Sequence, residues 1–501
     1  MAEIGISQTV LVEPRGDTGR KLPQYIAALS GKCDVIEGDC SHNITTYYKT
    51  TIGALASGAV LSWSSPVVLK ITQDNSTDYN FSVSEFQGDW VSSLINLGAA
   101  AVCFPMGLIM DIFGRKKTML FLTLPFTLGW LLITFASNVG ILMAGRFITG
   151  IAAGGICVTI PAYISEIAQD SIRGTLGSYF QLMVMLGVLF SYAVGSYTSV
   201  FVFNILCTLL PIAFCIIFFF MPESPNFLVI KGRHDEARKS LIRLRGQNYD
   251  IDDELTRLQM KAEEGKNNPV SFLSAITKKT ALKAILICYA LMLFQQLSGI
   301  NAVIFNSSQI FTNAGTVIQP AIATIIIGVI QVIASFVSSL IVDKLGRRIL
   351  LLFSASVMCV SSTALGIYFF LLDKHGINSS IVEAISWLPL LSLSLFISAF
   401  SIGFGNIPWM IAGELCLIDI KAFVSSTAVT LNWLLSFTVT STFNSLNNSI
   451  GSGQVFWLFA GIMFLGFVFI FFILPETKGK SVHEIQIMLG AEPQTVHTEK
   501  K

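Results

Sequence analysis

Charge is what this sequence has little of. Lysine, arginine, aspartate and glutamate make up 13% of its 501 residues, about half the share of a soluble domain, and the deficit excludes an ordinary globular enzyme or scaffold. The charge that is present nearly cancels, 32 basic against 31 acidic residues. The basic residues are scattered through short segments and form no polybasic domain, so no nucleic-acid partner is expected. Histidine is equally scarce, with five in all, and no nucleophile–base pair or metal-ligand spacing falls in an apolar stretch. No enzyme chemistry, metal or cofactor is expected. Nine cysteines offer no disulfide framework, and the Cys33 to Cys40 gap is not a zinc spacing. The first 47 residues lack the apolar core of a signal peptide, so the first span is expected to act as the insertion signal.

What is present is apolar length. Hydrophobic residues make up 53% of the chain, 38 of them Phe, and runs of about 20 apolar residues, enough to cross a bilayer as helix, recur with short gaps. Spans are predicted near 51–70, 91–110, 118–137, 140–163, 175–197 and 200–221, then near 281–311, 317–341, 349–371, 384–411, 422–444 and 454–474. The fold class is an all-α integral membrane protein. Its expected organisation is a tail (1–47), a six-helix half (48–221), a linker with short helices (222–279), a second six-helix half (280–474) and a tail (475–501). All but three of the 32 Lys and Arg residues fall on one side of these spans, which puts both termini in the cytoplasm of a multi-pass cell-membrane protein. The Asn-x-Ser/Thr sites at Asn75, Asn80, Asn378 and Asn447 then lie outside, where glycosylation occurs.

Three segment pairs repeat in order: Asp111-x-x-Gly114-Arg115-Lys116 with Asp343-x-x-Gly346-Arg347-Arg348, Glu166 to Arg173 with Glu414 to Lys421, and Pro222-Glu223-Ser224 with Pro475-Glu476-Thr477. Such order points to duplicated, pseudo-symmetric halves. Asp111, Arg115, Glu166, Arg173, Glu223, Asp343, Arg347, Glu414, Lys421 and Glu476 all sit at inner span ends. They are expected to form a cytoplasmic gate of pairs across the halves, with the helix-compatible 235–265 segment latching the halves together.

With Gly145-Arg146-Phe147, Arg173-Gly174, Pro222-Glu223-Ser224-Pro225, Gln295-Gln296-Leu-Ser298-Gly299-Ile-Asn301, Ile407-Pro408-Trp409, Asn432-Trp433 and Pro475-Glu476-Thr477-Lys478-Gly479, the chain from about 50 to 485 resembles the sugar porter family of the major facilitator superfamily. The acid-free Phe-Ser-Ile-Gly-Phe-Gly run at 400–405 is similar to insect trehalose-transporter-like and animal glucose-transporter members. The resemblance implies alternating access around a sugar site midway through the membrane. Asn226, Phe305-Asn306, Gln331 and Asn406 depart from the common pattern and leave the particular sugar open.

The residues support the same class independently. Polar groups deep in the spans are mostly amides: Gln181, Gln295, Gln296, Asn301, Gln331 and Asn432. Amides both donate and accept, as hydroxyl groups do, whereas a charged substrate would call for a buried counter-charge. Gln296 and Asn301 lie about 140° apart on an unbroken helix, so a break at Gly299 is needed for both to face one cavity. Gly403, Gly405 and Pro408 predict a second break, before Trp409. Trp409 and Trp433 offer ring faces to a sugar. The plainer account, in which the amides only bond helix to helix, remains open at this stage. The first predicted span has no acid, so the expected function is facilitative uniport of a small neutral sugar, a hexose such as glucose or else trehalose. A proton-coupled symporter and a non-transporting sugar sensor are the alternatives. No obligate protein partner is evident.

Overall fold

A computed structural model describes residues 40–72, 79–168, 173–246, 249–267, 276–316, 318–377, 379–416, 418–480 and 482–490. Twelve of its helices are long and apolar enough to cross a membrane. Spans 1 to 6 are Tyr48–Thr72, Glu85–Phe113, Arg115–Thr134, Val139–Ile167, Tyr179–Tyr197 and Val200–Phe219. Spans 7 to 12 are Lys279–Ala314, Pro320–Val342, Arg347–His375, Leu388–Leu415, Phe423–Ile450 and Ser452–Ile473. Large side chains such as Phe104, Leu108, Phe121, Leu124, Phe464 and Leu465 are exposed along them, a surface suited to lipid contact. The face carrying the linker and both ends of the described chain is called the linker face, and its opposite the distal face.

Span 2 starts earlier than its hydropathy suggests. Ser84 and Gln87 form a reciprocal cap, with the Gln87 N–H donating to Ser84 Oγ at 3.3 Å and the Ser84 N–H to Gln87 Oε1 at 3.0 Å. This satisfies two end groups of the helix and extends it outward to Glu85, which brings Asp89 inside. The first half then packs backbone to backbone: a Cβ on Gly58 would lie 2.0 Å from the Val184 carbonyl oxygen, and one on Gly187 2.1 Å from that of Leu55. Only glycine lets spans 1 and 5 approach this closely.

Both sharp turns into spans 3 and 9 use a glycine at positive φ, Gly114 at 92° and Gly346 at 93°, where a side chain would be strained. The next residues start a helix, and a carboxylate from the chain after the sixth span of each half caps it. Glu223 accepts from the N–H groups of Arg115 and Lys116, at 3.0 Å each. Glu476 accepts from those of Arg347 and Arg348, at 2.9 and 3.0 Å.

The linker folds into three short helices, Pro225–Ile230, His234–Arg245 and Ile251–Asn267, around Phe227, Leu228, Val229 and Ala237. Arg245 is buried, forked onto Glu254 at 2.8 and 3.1 Å, and donates to the Ile167 carbonyl at the end of span 4, at 2.7 Å. These ties run to the first half. The expected latch between halves is therefore corrected to a bundle anchored on one of them, because the cation that docks it finds its acceptors at span 4.

Candidate functional site

Span 7 breaks where the sequence requires. Gly299 adopts the left-handed conformation (φ 85°), and a Cβ there would fall 2.5 Å from the Phe459 ring, so both backbone geometry and space demand glycine. The break swings Asn301 to the same side as Gln296, and Asn301 Nδ2 donates to Gln296 Oε1 at 2.7 Å. Span 10 breaks at 403–406, where Gly403 packs against Ser354 of span 9.

Four of the predicted amides meet across these breaks. Gln296 Nε2 donates to Asn432 Oδ1 at 2.7 Å, Asn432 Nδ2 to Gln295 Oε1 at 2.6 Å, and Asn301 Nδ2 to Ser436 Oγ at 2.7 Å. Gln295 differs in role from its neighbours. Its Nε2 donates to the carbonyls of Phe404 at 2.6 Å and Gly405 at 3.3 Å, groups that the span 10 break strips of helical partners. Its amide is consumed in holding that break against span 11. Asn301 keeps an unbonded Oδ1 on a half-buried side chain, an acceptor open to a ligand.

The other predicted residues stand outside this network. Gln331 is buried in span 8 with neither amide atom bonded. A structure seldom leaves so costly a group unpaired without a function or a bound molecule. Gln181 is half-buried, Trp409 is 38% exposed after the span 10 break, and the Trp433 N–H, without a nitrogen or oxygen acceptor, faces the Cys103 thiol of span 2. Among the described residues no carboxylate enters the amide network. Arg146, wholly buried near the distal side, donates to the Val60 and Val91 carbonyls and stacks 4.7 Å from the Trp63 ring.

At the linker face the described charge pairs lie within the halves, and the expected pairs across the halves belong to a state closed on that face. Arg115 pairs with Glu166 at 2.8 Å and with Asp111 at 3.2 Å, and Ser224 donates to the same Glu166. Arg347 pairs with Glu414 at 3.0 Å, and Thr477 donates to Glu414 at 2.6 Å. Among the described residues, the pairs of each network lie within one half. Duplication explains this, since copying one half copies an internal network as faithfully as it would copy one made between halves. Lys421 is exposed, while the side chains of Arg173 and Asp343 lie outside the described residues. So do Asn75 and Asn378. Asn80 is exposed between spans 1 and 2, and Asn447 lies in the closing turns of span 11 with its Oδ1 buried.

The two halves are joined at the distal face, by residues that no motif or deep amide marks. Ser65 Oγ lies 3.1 Å from Ser308 Oγ and accepts from the Ser308 N–H at 3.1 Å, while the Tyr192 hydroxyl donates to the Ile304 carbonyl at 2.8 Å. These groups flank a kink at Asn306 (φ −118°). Asn96 donates to Thr440 at 3.0 Å, Asn444 donates to Asp89, and Trp90 meets Phe437 edge to face at 5.8 Å.

The family model described as "Sugar (and other) transporter" matches residues 43–489. The chain belongs to the sugar (and other) transporter family. It is 37% identical to a Culex quinquefasciatus protein named facilitated trehalose transporter Tret1, across 87% of this chain and 83% of that one. A Bombyx mori protein of the same name is 36% identical, across 90% of this chain and 87% of its own. The Aedes aegypti protein, also 36% identical, is longer, and the match covers 54% of it. Among solved structures, the major facilitator superfamily proton:xylose symporter XylE bound to 6-bromo-6-deoxy-D-glucose superposes with a TM-score of 0.72 at 22% identity, covering 90% of this chain and 99% of that one. The inward-open xylose transporter XylE from E. coli gives 0.71 at 21% identity, covering 88% and 98%. The fold is that of a major facilitator transporter.

Proposed function

We propose that this protein is a facilitative transporter of a neutral sugar, a hexose or trehalose, moved by alternating access with no ion coupled to it. The observation that carries the reading is the bonded Gln296–Asn301–Asn432 cluster, with the open Asn301 Oδ1 and the unpaired amide of Gln331 as groups free for a sugar. Neutral donors and acceptors match hydroxyls, and no carboxylate in the network is available to titrate with the transport cycle. Trp409 and Trp433 add ring faces. The names of the relatives above support the same class.

In this reading the linker face is cytoplasmic, by the excess of Lys and Arg there. The protein resides in the cell membrane, and exposed Asn80 is the best-placed glycan acceptor. The distal seam is the outer gate, closed in this structure. The charge networks stiffen each half so that it moves as a unit, and only the seam bonds exchange between states. Uptake tests the substrate class. Saturable uptake of glucose or of trehalose is expected in transporter-null cells, competition of one sugar against uptake of the other decides between them, and absence of saturable uptake of both would refute the assignment.

A further inference from the structure

Asp89 stands apart from every other acid in the chain that has a described role. It sits in the second turn of span 2, 8% exposed, and its described partner is the amide of Asn444 on span 11. The half-buried Glu166, Glu254 and Glu414 each hold an arginine, and Glu223 and Glu476 each accept from two backbone N–H groups at a helix start; Asp89 has neither. Glu85, one turn earlier on its own helix, is exposed and adds like charge. Among the described residues of the elements packed around it, none places a cation on its carboxylate. Span 11 has no titratable side chain from Asn432 to Ile450. Lys70, on the neighbouring end of span 1, is turned onto the Gly195 and Thr198 carbonyls at 2.7 and 2.8 Å. On span 4, Arg146 gives Nε and Nη1 to the Val91 and Val60 carbonyls and stacks on the Trp63 ring, and although its Nη2 is unbonded it forms no ion pair with Asp89.

We propose that Asp89 is a proton-binding site built into the distal seam. Its carboxyl is neutral while the halves are closed on it and ionises when the seam opens and water reaches it. The reasoning is that an ionised carboxylate removed from water with one neutral donor is far costlier than the neutral acid in the same place. Because Asn444 belongs to the opposite half, opening the seam removes that donor and supplies water at the same moment. Protonation therefore biases the two-state seam toward closure. The site lies on the distal side of the amide cluster and within the seam itself, so a proton bound from the distal side returns there. It tunes the gate without being carried across, which is compatible with uncoupled transport. The inference rests on the seam being a gate, which is part of the function proposed above.

The test is a distance measurement that needs no sugar. Spin labels at Asn80→Cys and Ser449→Cys, both exposed distal positions, report the seam by pulsed electron resonance in proteoliposomes. Raising the pH from about 5.5 to about 7.5 is expected to increase the distal-open, longer-distance fraction about three- to tenfold, as a proton-linked equilibrium requires. In Asp89→Asn that dependence should vanish, with the closed fraction near its acid value throughout. Asp89→Ser serves as a second variant if the first folds poorly. A wild-type distribution that ignores pH, or a pH response that survives both substitutions, would overturn the proposal. Failure of sugar uptake alone would leave the distance result interpretable, so failure of the one reading is distinguishable from failure of the other.

Discussion

At the residue scale the amides divide by what their bonds leave unspent. Gln295 has its amide committed to Phe404, Gly405 and Asn432, whereas Asn301 retains a free acceptor. Asn301→Ala should therefore weaken sugar affinity roughly tenfold, the cost of about one good hydrogen bond, with normal surface expression. Gln295→Ala should instead lower the amount of folded protein and its maximal rate, because two backbone carbonyls lose their donor. Uptake kinetics with surface quantification separates the cases, and equal effects on affinity from both would refute the division. The residue types at the site were legible in the sequence because an amide in an apolar run has few explanations. The particular role of Gln295 was not, since its partners are carbonyls that exist as acceptors only once span 10 breaks. Asp89 escaped notice because hydropathy alone started span 2 at 91, whereas the Ser84–Gln87 cap carries the helix out to 85.

Among elements, the two broken spans were the easiest to foresee. Gly299 resolved a geometric conflict between Gln296 and Asn301, and Gly403, Gly405 and Pro408 clustered where a helix has little reason to hold them. The kink at Asn306 carries no glycine or proline signal, and its two sides are held by the bond Ser65 accepts from the Ser308 N–H and the one Tyr192 donates to the Ile304 carbonyl. Ser65→Ala combined with Tyr192→Phe should raise distal accessibility of the cavity severalfold, each lost bond being worth about 1 kcal/mol. Thiol labelling from the distal side checks this, and unchanged labelling would remove these bonds from the gate.

The linker bundle makes a separate prediction. Glu254→Gln leaves buried Arg245 without its counter-charge and should destabilise docking of the bundle by about 3 kcal/mol, seen as faster proteolysis of the linker. The exposed Arg238–Asp252 pair is a useful contrast. Arg238 holds the Asp252 carboxyl below its usual value by hydrogen bonding. Its contribution is present above the unfolded value near pH 4 and is lost as pH falls through the lower folded value. Full exposure keeps that contribution small.

For the whole molecule, twelve spans and a duplicated plan could be read from apolar run lengths and three ordered motif pairs. How the duplicated charges connect could not, because a repeat conserves spacing without saying which copies touch. Among the described residues the pairs lie within each half, and this bears on what Glu414→Gln should do. It should lower thermal stability of the purified protein, since Arg347 is only 11% exposed and its ion pair with Glu414 is lost, while leaving distal accessibility near wild type. A shift in accessibility without loss of stability would restore a gate between the halves.

The central claim is that a carboxylate-free amide site moves neutral sugar passively. Its most direct measurement is sugar uptake into proteoliposomes with an imposed proton gradient, internal sugar being followed to its plateau. The account predicts that internal and external concentrations become equal, with the gradient changing the rate of approach and not the endpoint. Accumulation above the external concentration, abolished by a protonophore, would contradict it.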